Sequence, residues 1–408
     1  MNGAARGLWI VDPSVRDELG HYAAYARAVA EAGRAAGASV RVFAHRGVDP
    51  RLAVTLGAER TFRHDFWHRF VAVPKLGALV DPPVANFVMW RELRRALGRG
   101  PGADGVVFAP TTDHRQLLAW AAWMRGVPAA ERPTLCLLLR YTFVDVDAGR
   151  PVASAAAWAR LGLAALKRVS GGRVRLLTDS ARLAAEYASL TALPVEVAPI
   201  PHIGDLSGSS EPLARPGPRA DRAVRFVSLG DARTEKGFAL LADAIRWLDA
   251  AGKLTGLEFV IQSHIASPVY AALATPRAEL SRIGAPAVRL VEQVLSREAY
   301  AELLAGADVV LLPYARRVYF ARTSGPFTEA LAAGKPVIVT ADTWMSEELE
   351  RHGAGLTFHD GDAADLAGSI LRAKERLTEL SQAARARRGA WVRRHSPAAM
   401  VLALLGRS

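Results

Sequence analysis

The chain has 408 residues, 50% of them hydrophobic and 23% charged, with one cysteine and a formal charge of +12 at pH 7. That length suffices for two domains with ordinary cores, and one cysteine excludes an intrachain disulfide framework or a cysteine-based zinc site. The positive excess is mostly arginine and spread along the chain without a basic arm or a nucleic-acid motif, so anionic small molecules or an anionic surface are expected as partners and nucleic acid is not. No apolar run reaches the ~20 residues of a membrane span. Asp12, Arg16, Asp17 and Glu18 interrupt the start where a secretory leader needs an apolar core, and a cytoplasmic protein is expected.

In chain order, Leu8 to Val11 reads as a buried strand, followed by a turn through Gly20-His21 and a helix with Ala24, Ala28 and Val29 at helical spacing. A glycine at such a turn lets the backbone approach a ligand closely. Val40 to Phe43 supplies the next strand and completes a Rossmann-like beginning. From Phe62 to Leu97, the rings of Phe62, Phe66, Trp67, Phe70, Phe87 and Trp90 interleave with Arg63, His64, His68, Arg69, Lys75, Arg91, Arg94 and Arg95. Two readings stand: rings in the core with solvated charges, or an interfacial surface whose rings enter a headgroup layer.

Gly105 to Ala109 is a further buried strand that leads into Thr111-Thr112-Asp113-His114, at the edge where open α/β sheets bind ligands. His114 titrates near neutral pH and is either a functional contact or a surface residue beside a capping Asp113. Cys136, in the strand Leu135 to Arg140, reads as a buried thiol rather than a nucleophile. A helix around Ala155 to Arg168 and a strand from Val174 to Thr178 follow, and Thr178-Asp179-Ser180 caps a helix carrying Leu183 and Tyr187.

The Gly/Ser/Pro-rich stretch 204–222 is expected to link a first domain, 1–203, to a second, 223–388, with a last helix over 389–408. The second domain opens with the strand Val224 to Leu229 and a turn, Gly230-Asp231-Ala232-Arg233-Thr234-Glu235-Lys236-Gly237. Lys236 is placed in a first helical turn, where the helix dipole disfavours a cation, and this points to an anionic partner. Val309 to Leu312 is an all-aliphatic buried strand. Ser324-Gly325-Pro326 then opens a helix that ends at Gly334, and a strand from Pro336 to Val339 completes a right-handed βαβ unit. Arg316, Arg317 and Arg322 precede the helix N-terminus, a setting that suits a phosphate, and Glu329 one turn further can accept hydrogen bonds from vicinal hydroxyls. Taken singly, the same residues read as a cap, a charge cluster and a solvated helix position; their order favours the ligand reading.

The run Glu329-Ala330-Leu331-Ala332-Ala333-Gly334-Lys335-Pro336-Val337-Ile338 resembles the E-A-L-A-x-G-x-P-V-I segment in the C-terminal domain of GT-B glycosyltransferases of the family-4-like group. The turn before Gly237 resembles that group's G-R-x-x-x-E-K-G. The resemblance implies an α/β fold of two Rossmann-like domains facing a cleft, with the last helix crossing back to the first domain. It implies transfer of a sugar from a nucleoside-diphosphate sugar to a hydroxyl on a glycan or lipid-linked acceptor, with retention and without metal or cofactor. The setting would be polysaccharide or cell-envelope glycan synthesis on the cytoplasmic side, and on the interfacial reading of Phe62 to Leu97 the protein would sit peripheral to an anionic membrane.

By the same resemblance, Lys236 and Arg233 neutralise the donor diphosphate and Ser324, Gly325 and Glu329 hold the nucleotide. Glu292 borders the base, Gly20 faces the phosphates, His114 lies near the transferred sugar, and the region after Phe62 shapes the acceptor site. Two positions depart from the pattern. Ala321 stands where the group carries the first glutamate of E-x7-E, and Asp231 takes the usual arginine position, with Arg233 two residues on. A nucleotide-sugar 2-epimerase of the same architecture, relying on Asp113, His114 and His202, and a non-catalytic binding module are the alternatives.

Overall fold

The structure, a computed structural model, describes residues 6–18, 22–65, 68–70, 77–201, 222–352 and 354–406. Gly20, His21, Phe66, Trp67, Lys75, His202 and the expected linker through residue 221 lie outside the described residues. The chain divides into two units, Met1–Ile203 with His395–Ser408, and Gly204–Arg394.

The first unit is built on β1 (Gly7–Val11), β2 (Ser39–His45), β3 (Ala58–Phe62), β4 (Val106–Thr112) and β5 (Thr134–Leu139), a small hairpin of β6 (Val144–Asp145) and β7 (Arg150–Pro151), then β8 (Val174–Thr178) and β9 (Val195–Val197). Seven strands form a parallel sheet in the order β3-β2-β1-β4-β5-β8-β9. β4 is buried at every position and β5 at all but its first, as expected of strands covered on both faces by helices. On one face, Tyr25, Val29 and Ala30 of the helix Tyr22–Ala35 share a core with Met400, Val401, Leu404 and Leu405 of the last helix, Pro397–Leu405. Cys136 is fully buried in β5, and burial pushes its thiol up to about 12, which leaves it unreactive.

The aromatic and basic stretch is split between the core and the protein surface. Phe62 ends β3 and is buried, whereas Phe87, on the helix Gly77–Leu97, is 54% exposed. Phe87 and Trp90 lie 5.8 Å apart, with the Arg91 guanidinium over Phe87 and that of Arg94 over Trp90. The sequence did not reveal this helix because Pro82 and Pro83 lie inside it. Asn86 spans the irregularity: its amide donates to Pro82 O at 2.7 Å and its Oδ1 accepts from Ala119 N at 2.8 Å.

In the second unit, β10 (Val224–Ser228), β11 (Leu257–Gln262), β12 (Val288–Val291), β13 (Val309–Leu312), β14 (Val337–Thr340) and β15 (Gly355–Phe358) pair in parallel as β12-β11-β10-β13-β14-β15. This is the doubly wound order, whose direction reverses between β10 and β13, and ligands of such sheets bind outside the carboxyl ends at that reversal. Lys335, inside the sequence motif, has a structural part here. Its ammonium is buried and donates to Ala305 O at 2.7 Å and Ala307 O at 2.9 Å, closing the end of the helix Arg297–Ala305. Lys335→Met should therefore cost about 1–3 kcal/mol of stability in chemical denaturation, because it leaves those carbonyls short of a donor. Parent-like unfolding would show that the bonds contribute nothing net.

Candidate functional site at the strand-order reversal of the second sheet

Two loops meet at the reversal. The first, residues 229–237, follows β10. Gly230 has φ +93°, its N–H donates to Gln262 Oε1 at 2.7 Å, and a Cβ placed on it would lie 2.2 Å from Lys236 Nζ. The Lys236 side chain therefore folds back over a bare backbone, and Gly230 has to remain a glycine for it to do so. A short 3-10 turn, Thr234–Lys236, then runs into Gly237 at φ +67°, which precedes the helix Phe238–Ala250. Lys236 thus stands before the helix and not in its first turn, contrary to the sequence expectation, because the left-handed glycine separates the turn from the helix.

The second loop follows β13 and is locked to the first. The Pro313 carbonyl oxygen lies 1.8 Å from where a Gly237 Cβ would sit, and Ala315 N donates to Glu235 O at 3.0 Å. Tyr314, buried at the start of this loop, puts its ring 6.0 Å from Lys236 Nζ.

Burial is the main cause that brings the Lys236 ammonium down to about 8, and the nearby Arg233 guanidinium adds to it. Asp231 and Glu235 oppose the shift and Arg322 reinforces it. A lysine held among cations with its proton affinity depressed is relieved by an incoming anion. Arg233 is in place beside it, 3.2 Å from Asp231 and 4.0 Å from Glu235. Its Nε is buried without a hydrogen-bond partner.

Ser324 caps the helix Gly325–Ala332, accepting from Phe327 N at 3.3 Å. A Cβ on Gly325 would meet nothing within 4 Å, so the helix start faces open space. The three upstream arginines are not one cluster: Arg316 is tied to Asp342, while the Arg322 guanidinium lies 5.5 Å from the Tyr319 ring centre. Ala321 is buried, and no carboxylate stands in its place.

Glu329 is 8% exposed and accepts a hydrogen bond from the Tyr300 hydroxyl, a partner that no sequence motif signals. Burial pushes its carboxyl up to about 7, against the hydrogen bond from Tyr300 and the charges of Lys236 and Arg297. Lys236, Arg233, Tyr314, Glu329 and Tyr300 therefore form one electrostatically coupled group. Glu292 lies beyond the end of β12, exposed and paired with Arg277 at 3.0 Å.

In the first unit, His114 follows β4 and is buried, 3.3 Å from Asp113. Burial holds its imidazole below the ordinary value, so it is neutral at pH 7. Although burial opposes it, the two-point bond from Arg115 (2.9 and 3.0 Å) keeps Asp113 below the usual carboxylate range. Sequence reasoning overlooked the buried Asp12, at the end of β1, and the Arg140–Asp179 pair (3.4 Å) at the ends of β5 and β8. Asp12 accepts from Ser14 N at 2.9 Å and Thr111 Oγ1 at 3.3 Å, yet burial still pushes it up to about 6. An acidic residue directly after a buried strand was the available signal. Among the described residues no group of three His, Cys, Asp or Glu could hold a metal ion.

Two Rossmann-like domains, one with a cationic group at its strand-order reversal, make this an α/β protein of the GT-B fold. Residues 223–375 match the family Glycosyl transferases group 1. The fold is also that of a sucrose-phosphate synthase from Thermosynechococcus elongatus (16% identity, 98% of this chain and 97% of that one, TM-score 0.67). It is shared with a glycosyltransferase from Rickettsia africae (12%, all of both chains, TM-score 0.63) and with Anabaena HepE solved with UDP (14%, 98% of each chain, TM-score 0.63). No curated protein matches the chain. The match to Glycosyl transferases group 1 lies within the second domain, and the chain as a whole shares the GT-B fold of these structures.

Proposed function

We propose that the second domain binds a nucleoside-diphosphate sugar and that the protein transfers the sugar to a hydroxyl of a glycan or lipid-linked acceptor, with retention and without a metal. The observation that carries this reading is Lys236, partly enclosed, depressed in proton affinity beside Arg233, and coupled to Glu329 across the two locked loops. Lys236, Arg233 and the open helix start at Ser324 and Gly325 stabilise the diphosphate as it leaves, which is the main electrostatic demand of the reaction. Glu329 accepts from the ribose hydroxyls. UDP is the first nucleotide to test, since Anabaena HepE was solved with it. No dedicated general base is required if the leaving phosphate takes the acceptor proton; His114, neutral, serves as a hydrogen-bonding group on the acceptor-side domain. Glu292, held by Arg277, borders the base only if that ion pair opens. Polysaccharide or cell-envelope glycan synthesis on the cytoplasmic side is the setting proposed.

Release of nucleoside diphosphate by purified protein, over a panel of donors and acceptors, tests the reaction. Glu329→Gln tests the site. The amide has one acceptor oxygen, whereas the carboxylate keeps Oε1 for the ribose beside the Oε2 engaged by Tyr300, so UDP affinity should fall about 5- to 150-fold and the preference for UDP over 2′-deoxy-UDP should shrink. A variant that discriminates like the parent would remove Glu329 from the ribose.

The exposed Phe87 and the half-buried Trp90, under Arg91 and Arg94, support a peripheral membrane contact. Co-sedimentation with vesicles should rise with anionic lipid and fall with salt, and its absence at low salt would leave the patch as ordinary surface. Among the described residues no helix is long and apolar enough to cross a membrane.

A further inference from the structure

We infer that Tyr300 is a positioning residue of the donor site, holding the Glu329 carboxylate as a fixed, ionised acceptor for a ribose hydroxyl. The inference rests on the reading of Glu329 as the ribose contact. Tyr300 belongs to the helix Arg297–Ala305 and Glu329 to Gly325–Ala332, and the phenol O–H donates to Glu329 Oε2. A carboxylate has room for several donors. With Oε2 engaged, its rotation is restrained and Oε1 is presented for a ligand.

The surroundings show why such a donor is needed. Lys236 from the β10 loop and Arg297 from the start of Tyr300's own helix favour the charged carboxylate, but burial outweighs them, and Tyr314, which also interacts with Glu329, is a neutral phenol. The Tyr300 phenol is itself raised well above its ordinary value and stays a donor throughout the working range. A hydrogen bond to the ionised form lowers a carboxyl pKa, so its removal raises it. Nucleotide binding that requires an ionised acceptor then weakens from a higher pH downward. At the alkaline end affinity is limited by Lys236, which Tyr300 does not touch through any hydrogen bond the structure shows.

The test is calorimetric titration of UDP into the parent, Tyr300→Phe and Glu329→Gln between about pH 6 and pH 9. Phenylalanine keeps the ring and its packing. The expected result is that Tyr300→Phe moves the acid limb of the affinity profile upward by about one pH unit, with a roughly 3- to 10-fold loss at pH 7 that narrows by pH 8. The alkaline limb should stay where it is, and Glu329→Gln should lack the acid-limb dependence that distinguishes the other two. A profile for Tyr300→Phe with the parent's acid limb, whether or not overall affinity drops, overturns the inference and leaves Tyr300 as packing. If Glu329→Gln keeps both the parent's acid limb and its preference for ribose over deoxyribose, the reading of Glu329 fails instead.

Discussion

Lys236→Ala is expected to lower UDP affinity by about 10- to 150-fold, the 1.5–3 kcal/mol typical of a hydrogen bond to a charged group. The loss should depend on pH in a defined direction. In the free protein burial and Arg233 bring the ammonium down to about 8. A bound diphosphate favours the protonated form and raises that value, so the Lys236 contribution to parent affinity is complete below about pH 8 and declines as pH rises through the bound-state value. The alanine variant has no such decline. Parent binding above pH 8 should also take up a fraction of a proton, visible as a dependence of the heat on the buffer's ionisation enthalpy. Unchanged UDP affinity in the variant, or the same alkaline decline in both proteins, would remove Lys236 from the diphosphate. Because Gly230 leaves the space that the lysine occupies, Gly230→Ala should produce part of the same phenotype without removing the charge.

The second sheet was legible in the sequence because its strands are short aliphatic runs that sit between polar edges, and the observed β10, β13 and β14 fall within a residue or two of the runs that predicted them. The helix starting at Gly325 was legible for a different reason: Ser324 and Pro326 carry cap chemistry that acts over three residues. The same local reasoning misjudged Lys236. A left-handed Gly237 interrupts the chain just after it, and the cause, the Pro313 carbonyl, is 76 positions away in sequence. Tyr300 was invisible on similar grounds, since its bond to Glu329 joins two helices with no shared pattern. In the first domain, Pro82 and Pro83 hid a long helix whose irregular turn is supported by Asn86. The Arg140–Asp179 pair and the contact of Asp12 with Thr111 became apparent only once parallel pairing brought the carboxyl ends of β1, β4, β5 and β8 to one edge. Patterns with a span of one helical turn are readable in sequence; charges assembled by sheet topology are not.

Gly237→Ala should be the most damaging single methyl group in the second domain's binding loops. A Cβ at this position would lie 1.8 Å from Pro313 O and 2.8 Å from Pro313 C, closer than side-chain carbons ever approach backbone. Relief by rotation is not open to it, because at φ +67° an alanine already costs about 1–2 kcal/mol relative to a right-handed conformation. Relief by moving Pro313 would drag the end of β13, a central strand paired on both sides, and would break the Ala315 N to Glu235 O bond that joins the two loops. The sum of strain and overpacking is about 3–5 kcal/mol, the upper end for a point substitution, and should appear as a lowered midpoint for the second domain in denaturant. UDP affinity should fall with it, since Lys236 and Tyr314 are held by the same contact. Gly325→Ala is the matched control: its Cβ would meet no atom within 4 Å and its φ is not left-handed, so stability should change by no more than about 0.5 kcal/mol. Any loss of UDP affinity in that control reports crowding at the helix start, where the diphosphate is proposed to sit. Parent-like stability in Gly237→Ala would mean that the two loops are not locked together and that the site is assembled by something other than their backbone contact.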